Sequence, residues 1–384
     1  YNLVIFGTFL TRSGVLSSVH AFAQSAIGPL FFGFIGLSFT VSLSLLMHRW
    51  NDLRSETQLT SLLSREALFL LNNFLFMGIL IVCFWGIIFP LISELVTGQK
   101  ITVGPPYYEL ANAPLFAGLL LLMGIAPLTA WRHTTTKTIV RMILKPLAIS
   151  LIITLIIFLT GIHHPIALLG FGLISLVISV TLFDFWRVII ARRQSKSESF
   201  PVAFWRLLGL NRRRYGGYII HIGVAVMAIG IIGIELFQAE TQATIPQGGS
   251  ISISDYSIKY DSLAIFDTSD GRNVARAVVS LYKKGAYLGE LYPRRDYFYE
   301  SQQSITIPGV RSTWLEDIYV LLVDWQPIST EAATFKIYHN PMINWLWFGG
   351  IVFILGIMVA AWPAKELGQT ITLTERKNYT SIEV

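Results

Sequence analysis

The sequence predicts a polytopic α-helical integral membrane protein with one small β-rich domain outside the membrane. Hydrophobic residues make up 53% of the 384 residues and charged residues only 14%, and the mean hydropathy is +0.58. Soluble domains carry about a quarter charged residues, so this composition excludes an ordinary soluble protein. Long apolar runs predict membrane-spanning helices, and one insert with alternating polarity predicts the β-rich domain.

Seven apolar runs are long enough, at about 20 residues, to cross a bilayer. They cover residues 27–47, 68–92, 114–131, 146–162, 166–190, 218–237 and 343–362. Residues 1–10 resemble the far half of another span, and the chain begins inside this run without a methionine. We therefore expect a fragment, or one piece of a longer or split protein.

Lysine and arginine counts in the loops predict the orientation. Basic residues concentrate in 48–67, 132–145 and 187–217, whereas the alternate loops 11–26, 93–113 and 162–165 carry only Arg12 and Lys100. The basic loops should be cytoplasmic. Topology and anionic lipid then account for the net charge of +6, and we expect no nucleic-acid partner.

The chain is predicted to fold as a helical bundle over 1–237, a β-rich domain over 238–342, a final span at 343–362 and a cytoplasmic tail at 363–384. Short alternating runs such as 250–254 and 275–282 indicate strands in the insert, and glycine-containing turns separate them. The insert should lie on the non-cytoplasmic side. Its roughly 100 residues can bury a core of their own.

Cysteine and motif content exclude several kinds of chemistry. Cys83 is the only cysteine, so the sequence offers neither an internal disulfide nor a dithiol. It also contains no convincing CxxC, P-loop, Rossmann or HExxH motif. Reactive groups would have to come from a cofactor or a partner.

His221 lies in an apolar helix, where a polar group needs a partner. Small residues near its face, namely Gly217, Ala225 and Ala228, would let a flat group such as a porphyrin lie against the helix. The same small residues would also serve tight helix packing around a hydrogen-bonded core histidine. These residues alone leave both interpretations open.

His20 falls in an amphipathic segment, 11–26, predicted at the outer membrane face. Leu16, Val19, His20 and Ala23 share one helical face there. The imidazole could bind a heme that approaches from the aqueous side, or it could simply lie at the membrane interface.

The remaining candidates favour structural roles. His163 and His164 form a tight turn before Pro165, which suits turn and capping functions better than metal binding. Asp184 lies one turn from the interface and can pair with Arg187 or with water. His48, His133 and His339 lie near helix ends or at the membrane re-entry, where interfacial roles suffice.

The residues resemble the CcmF family of cytochrome c heme lyases and its close paralogue NrfE, over the C-terminal half to three-fifths of those proteins. The first motif is Gly7-Thr8-Phe9-Leu10-Thr11-Arg12-Ser13-Gly14-Val15, followed by Ser18-Val19-His20-Ala21-Phe22. The later motifs are Ser64-Arg65-Glu66 with Asn72-Asn73, Arg214-Tyr215-Gly216-Gly217 with His221 and Gly223, Leu291 to Tyr297, Asp317 to Val320, and Asn340-Pro341 with Trp345, Trp347 and Gly349. One departure is Ile87 after Gly86, where the family would carry threonine.

This resemblance implies specific roles for four residues. His20 would be a catalytic ligand to the iron of the delivered heme, and His221 an axial ligand of a resident heme b. Arg12 and Gly217 are assigned to cofactor binding through the motifs that contain them. In the family, the second histidine of each site and a tryptophan-rich motif lie upstream of the part that this chain resembles.

The implied function is that of a heme lyase subunit, which positions and reduces heme for thioether attachment to the CxxCH motif of apocytochrome c. Implied partners are apocytochrome c, the heme chaperone CcmE that delivers a transient heme, the thiol-handling subunit CcmH, membrane lipid and a quinol. The resemblance also places the chain in the bacterial inner membrane, with its soluble domain in the periplasm.

Two other classes would account for some of these features. A secondary transporter would explain the many helices and intramembrane polar residues, although the sequence shows no two repeated halves with interrupted helices. A structural subunit of a membrane assembly would explain the β-rich insert and leave His20 and His221 as packing residues. Bound heme, measured spectroscopically, distinguishes the lyase from both.

Overall fold

The computed structural model describes residues 1–13, 27–53, 61–130, 134–325 and 331–363. The chain divides into two units, Tyr1–Thr60 and Ser61–Val384. Residues 14–26 of the predicted amphipathic segment, His20 among them, and residues 364–384 of the predicted tail lie outside the described residues.

In its described residues, the first unit contains two helices, α1 (Asn2–Arg12) and α2 (Ile27–His48). Their contacts include a polar pair and an aromatic pair. The Ser38 hydroxyl donates to Asn2 Oδ1 at 2.7 Å, and the rings of Phe9 and Phe32 lie 5.9 Å apart.

The second unit contains the remaining helices and all the described strands. The helices are α3 (Arg65–Thr97), α4 (Pro105–Ile125), α5 (Thr136–Leu159), α6 (Pro165–Lys196), α7 (Phe200–Leu210), α8 (Arg212–Phe237) and α9 (Ile343–Ala361), with a 3-10 turn at Ala126–Leu128. Across both units, seven helices of the described residues are long and apolar enough to span a membrane. The prediction of a polytopic helical membrane protein is therefore confirmed.

Several helices extend beyond the apolar runs that predicted them. Residues 132–145 were predicted to form a loop, yet α5 begins at Thr136 and includes Lys137, Arg141 and Lys145. Likewise, α6 continues to Lys196, and α7 occupies much of the predicted 187–217 loop. Hydropathy detects the apolar part of a helix, but the backbone hydrogen bonds continue into the interface, where long basic side chains reach water.

Caps set the ends of α3 more closely than hydropathy does. The Ser64 hydroxyl accepts a hydrogen bond from the Ala67 amide at 3.2 Å, which begins the helix before the apolar run at 68–92. Gly98 ends it with a left-handed backbone, φ 70°.

The insert folds as an antiparallel β-sandwich. Its strands are β1 (Ala239–Pro246), β2 (Ser250–Ile253), β3 (Tyr256–Asp267), β4 (Arg272–Lys283), β5 (Ala286–Leu291), β6 (Arg294–Phe298), β7 (Gln303–Ile307), β8 (Gly309–Ser312), β9 (Glu316–Trp325) and β10 (Ala332–Pro341). One sheet has the order β1-β10-β9-β8, the other β2-β3-β4-β6-β7, and β5 pairs with β4. Buried side chains from both sheets, including Tyr260, Leu281, Val320 and Phe335, form the core.

The sandwich joins the membrane helices without a linker. β1 begins two residues after α8 ends, and α9 begins two residues after β10 ends. Ala239 pairs with His339 across these two strands, so the ends of the domain lie side by side above α8 and α9. A sandwich attached in this way has little freedom to rotate against the two helices.

Candidate functional site

His221 lies on α8, in the apolar part of the helix, with its side chain partly buried. Its Nδ1 atom is buried and has no hydrogen-bond partner within the described part of the chain. A buried unpaired nitrogen is unfavourable, because it has lost its water and gained no protein partner. The hydrogen-bonded core histidine considered from sequence is therefore not what the described residues show.

Gly217 lies one helical turn before His221, on a neighbouring part of the same face. A Cβ built on Gly217 would meet no atom within 4 Å among the described residues. The backbone is thus accessible beside the imidazole. A flat ligand could approach α8 at this position without displacing a side chain.

The other small residues of α8 do not share this open space. Ala225 is fully buried and packs in a cluster with Ala167, Phe171 and Val177 of α6, and Ala228 borders the same cluster. Of the two interpretations left open for these small residues, helix packing therefore describes the two alanines. Helix spacing placed them near His221, but α6 covers that side.

Three glycines of α8 that lie seven residues apart, Gly216, Gly223 and Gly230, allow close packing against α9. A Cβ added to Gly216 would lie 2.6 Å from the Ala360 amide nitrogen, and one added to Gly230 would lie 2.6 Å from that of Leu346. Contacts this short leave no room for a side chain. Tight helix packing, the alternative considered for the small residues, thus holds for these glycines and does not hold for Gly217.

A buried carboxylate holds the first turns of α8 against α6. Asp184 of α6 is 2% exposed and accepts hydrogen bonds from the Tyr218 hydroxyl at 2.7 Å and from Arg214 Nη2 at 2.8 Å. Arg187 Nη2 donates to the other carboxylate oxygen at 2.9 Å, and Arg214 Nε donates to the Tyr218 hydroxyl at 3.1 Å.

This cluster lies one to two turns before His221 on α8. The sequence suggested Arg187 as a partner of Asp184, and that pair is present. Sequence reasoning missed Arg214 and Tyr218, although their spacing of four on one helix face was a usable signal. The two donors from α8, Arg214 and Tyr218, fix the rotation of α8 against α6 and so determine which way the face with His221 and Gly217 turns.

The predicted site residues are divided between the two units of the chain. Arg12 lies in the last turn of α1, in the first unit, and is not without an interaction partner. His20 lies outside the described residues, as does His133. Within the described ranges, no group of three His, Cys, Asp or Glu side chains could hold a metal ion.

Three other described histidines occupy structural positions, and His48 ends α2. His163 packs edge-on against Phe158 at a ring distance of 4.6 Å, and His164 is the N-cap residue of α6. His339 Nε2 lies 2.7 Å from Glu316 Oε2 in the sandwich. His221 is thus distinguished from these three by its buried, unpaired nitrogen.

Comparisons with known proteins match the fold and the sequence. Residues 236–341 match the family model described as the CcmF C-terminal beta-sandwich. The cytochrome c-type biogenesis protein CcmF of Pseudomonas aeruginosa is 27% identical over 94% of this chain and 53% of its own length. The CcmF of Haemophilus influenzae is 28% identical over 93% of this chain and 54% of its own length.

Two further matches extend this result. The probable cytochrome c-type biogenesis protein NrfE of Escherichia coli is 23% identical, over 95% of this chain and 51% of its own. A solved structure named cytochrome c heme lyase CcmF shares the fold with a TM-score of 0.71 at 24% identity, covering 94% of this chain and 53% of that one. The chain spans about half the length of the curated relatives that it matches. The chain is thus similar in sequence, along nearly its whole length, to the CcmF cytochrome c-type biogenesis proteins, and it shares the fold of the solved structure.

Proposed function

We propose that this chain forms part of a cytochrome c heme lyase, and that His221 would hold the iron of a heme b bound against α8. Two kinds of observation support the proposal. The relatives are named as cytochrome c biogenesis proteins, and one carries the name heme lyase. The unpaired Nδ1 of His221 and the open backbone at Gly217 fit an imidazole ligand beside a flat group.

The chain's residues would divide the work at this site. His221 would bind the iron through an imidazole nitrogen, and Gly217 would leave room for the ring system. Asp184, with Tyr218 and Arg214, would hold α8 in the rotation that this requires. When bound, the heme supplies a one-electron redox centre.

A second heme, the substrate, would be held at the outer membrane face. We propose His20 as a ligand to its iron, and Arg12 as part of the same motif. In thioether formation each cysteine thiol of CxxCH adds to a heme vinyl group: the sulfur bonds to one vinyl carbon and the thiol hydrogen goes to the other. The protein's part is to hold thiol and vinyl group together while both iron and thiols are reduced.

Partners and location belong to the same proposal. Apocytochrome c would supply the thiols, and the chaperone CcmE would deliver the transient heme. CcmH would handle the thiols, and a quinol would be the electron donor. The distribution of lysine and arginine in the loops supports a sandwich on the non-cytoplasmic side. The bacterial relatives support an inner membrane as the location, and the sandwich would then lie in the periplasm.

The proposal is tested by the heme content of the full-length protein. We expect His221→Ala to reduce the heme per protein, measured as a pyridine hemochrome, while the protein still inserts into the membrane. His163→Ala is the matched control, because His163 contacts Phe158 in a turn. Unchanged heme in the His221 variant, or equal loss in both variants, would contradict the assignment.

A further inference from the structure

We propose that the turn at residues 313–315, between β8 and β9, inserts into the lipid headgroup region beside α9 and anchors the sandwich on the bilayer. This lipid contact is independent of heme binding. Trp314 is 71% exposed and Leu315 67% exposed. Adjacent large apolar side chains on a turn are unfavourable in water, whereas tryptophan is favoured at the membrane interface.

Hydrogen bonds hold this turn in a defined shape. The Thr313 hydroxyl donates to the Glu316 carbonyl oxygen at 2.8 Å and accepts from the Glu316 amide at 3.1 Å. The turn therefore has a fixed backbone conformation in which both Trp314 and Leu315 are exposed.

The same turn is tied to the first turn of α9. The Met342 amide donates to the Leu315 carbonyl oxygen at 2.6 Å, and Asn344 Nδ2 donates to the Thr313 carbonyl oxygen at 2.6 Å. Because α9 is one of the helices suited to span a membrane, its beginning lies near the bilayer surface. The turn must lie at the same depth.

The exposed side chains of the turn continue the lipid-facing side of α9. The Trp314 ring lies 6.1 Å from the Phe348 ring, and Trp347 and Ile351 are exposed near that face. On the other side of α9, Gly349 and Gly356 pack against α8. An apolar surface that runs without a break from a membrane helix onto the turn fits lipid as its occupant.

The acidic side chains beside the turn do not oppose insertion. Asp317 is buried and accepts a hydrogen bond from Asn344 Nδ2 at 2.6 Å. Glu316 points into the sandwich, where it is bonded to Tyr256 and His339. The turn thus offers lipid an apolar tip, and both neighbouring carboxylates are already paired.

Site-directed fluorescence in vesicles tests this contact. In full-length protein carrying Cys83→Ser, Trp314→Cys is labelled with an environment-sensitive fluorophore and reconstituted in phosphatidylcholine vesicles. We expect a blue-shifted emission and a loss of fluorescence when the vesicles contain doxyl-labelled phosphatidylcholine. Leu315→Cys provides a second site with the same expected result, should the tryptophan variant fold poorly.

Tyr299→Cys is the matched control. Tyr299 is also an exposed aromatic residue of the sandwich. It follows Phe298, which pairs with Arg272 at the start of β4, whereas Lys283 lies at the other end of that strand. We expect its label to be quenched by aqueous iodide and unaffected by the doxyl lipid.

Two results would overturn the proposal. One is iodide quenching at both turn positions that equals the quenching at residue 299, with no effect of doxyl lipid. The other is a label that remains in water in the vesicles and becomes shielded only when a native membrane extract is added, since that would make the turn a protein-binding surface.

Discussion

Gly223 of α8 lies so close to Gly349 of α9 that a Cβ added to Gly223 would come within 2.9 Å of the Gly349 carbonyl oxygen. In the reverse direction, a Cβ on Gly349 would lie 2.7 Å from the Gly223 carbonyl oxygen. The two backbones therefore touch. Close contact of this kind allows dispersion forces and weak Cα–H contacts to hold helices together in lipid, where the hydrophobic effect gives no preference for association.

We expect Gly223→Leu to destabilise the protein by about 1–3 kcal/mol or more, because the new side chain must push α9 away. Thermal unfolding of the purified protein in detergent measures the loss. Gly217→Leu is the matched control, since the space beside Gly217 is open among the described residues. The unfolding temperature of the heme-free Gly217→Leu protein should be close to that of the heme-free wild type. It should nevertheless bind less heme, because leucine fills the proposed approach to His221. Equal destabilisation by both substitutions would contradict the division of α8 into a packed and an open side.

Asp184→Asn should lower the free energy of unfolding by about 1–3 kcal/mol, because the amide keeps the shape of the buried carboxylate but presents an NH₂ group to donors. Tyr218→Phe removes one of those donors, and its effect in the Asp184→Asn background should be smaller than in the wild type. Denaturant or thermal unfolding of the four proteins gives the coupling.

Arg187→Gln is the control for this cluster, because Arg187 is half-exposed and its ion pair should contribute only about 0–1 kcal/mol. If Arg187→Gln were as damaging as Asp184→Asn, the contacts from α8 would not be the ones that matter.

The ionised Glu316 carboxylate should stabilise the sandwich, and this stabilisation should be lost in acid. Partial burial alone raises the pKa of this carboxyl, but hydrogen bonds from Lys283, Tyr256 and His339 outweigh it and lower the pKa to about 2. A lowered folded-state pKa gives stability that is fully present above the unfolded value of about 4.3 and is lost as the pH falls towards about 2.

The measurement is the unfolding midpoint of wild type and Glu316→Gln from about pH 6 to about pH 2. We expect the two midpoints to converge at the acid end, because the wild-type carboxyl becomes protonated there. Glu290→Gln, at an exposed position in the same sandwich, controls for loss of a charge. A constant difference between the midpoints of wild type and Glu316→Gln across this range would show that ionisation of the Glu316 carboxyl contributes nothing to stability.

His20→Ala should stop maturation of c-type cytochromes and leave the His221-dependent heme signal in place. The reason is that an incoming heme without its outer-face imidazole loses both orientation and redox tuning. Heme staining of mature cytochrome and the absorbance spectrum of the purified variant measure the two effects separately. Loss of the resident heme with continued maturation would mean that the two histidines have been assigned the wrong way round.

The sequence alone determined the membrane class, the seven apolar helices and the β-rich insert. Its low charge and long apolar runs leave few other solutions in lipid, where every backbone polar group must be paired within a helix or a closed sheet. Alternation along residues 250–254 and 275–282 likewise required strands with one buried face. The order of the motifs was sufficient to recognise the resemblance to CcmF, which the similar proteins also show.

Only the tertiary structure decided what the small residues of α8 do. Helix spacing showed that Gly217 and Ala225 lie near His221, but it could not show that α6 covers Ala225 while Gly217 stays open. The partners of Asp184 were undecided for the same reason, because Arg214 and Tyr218 are 30 and 34 residues away along the chain. Periodicity tells which residues share a face of a helix, whereas the neighbour that covers the face is determined by the packing of the whole bundle.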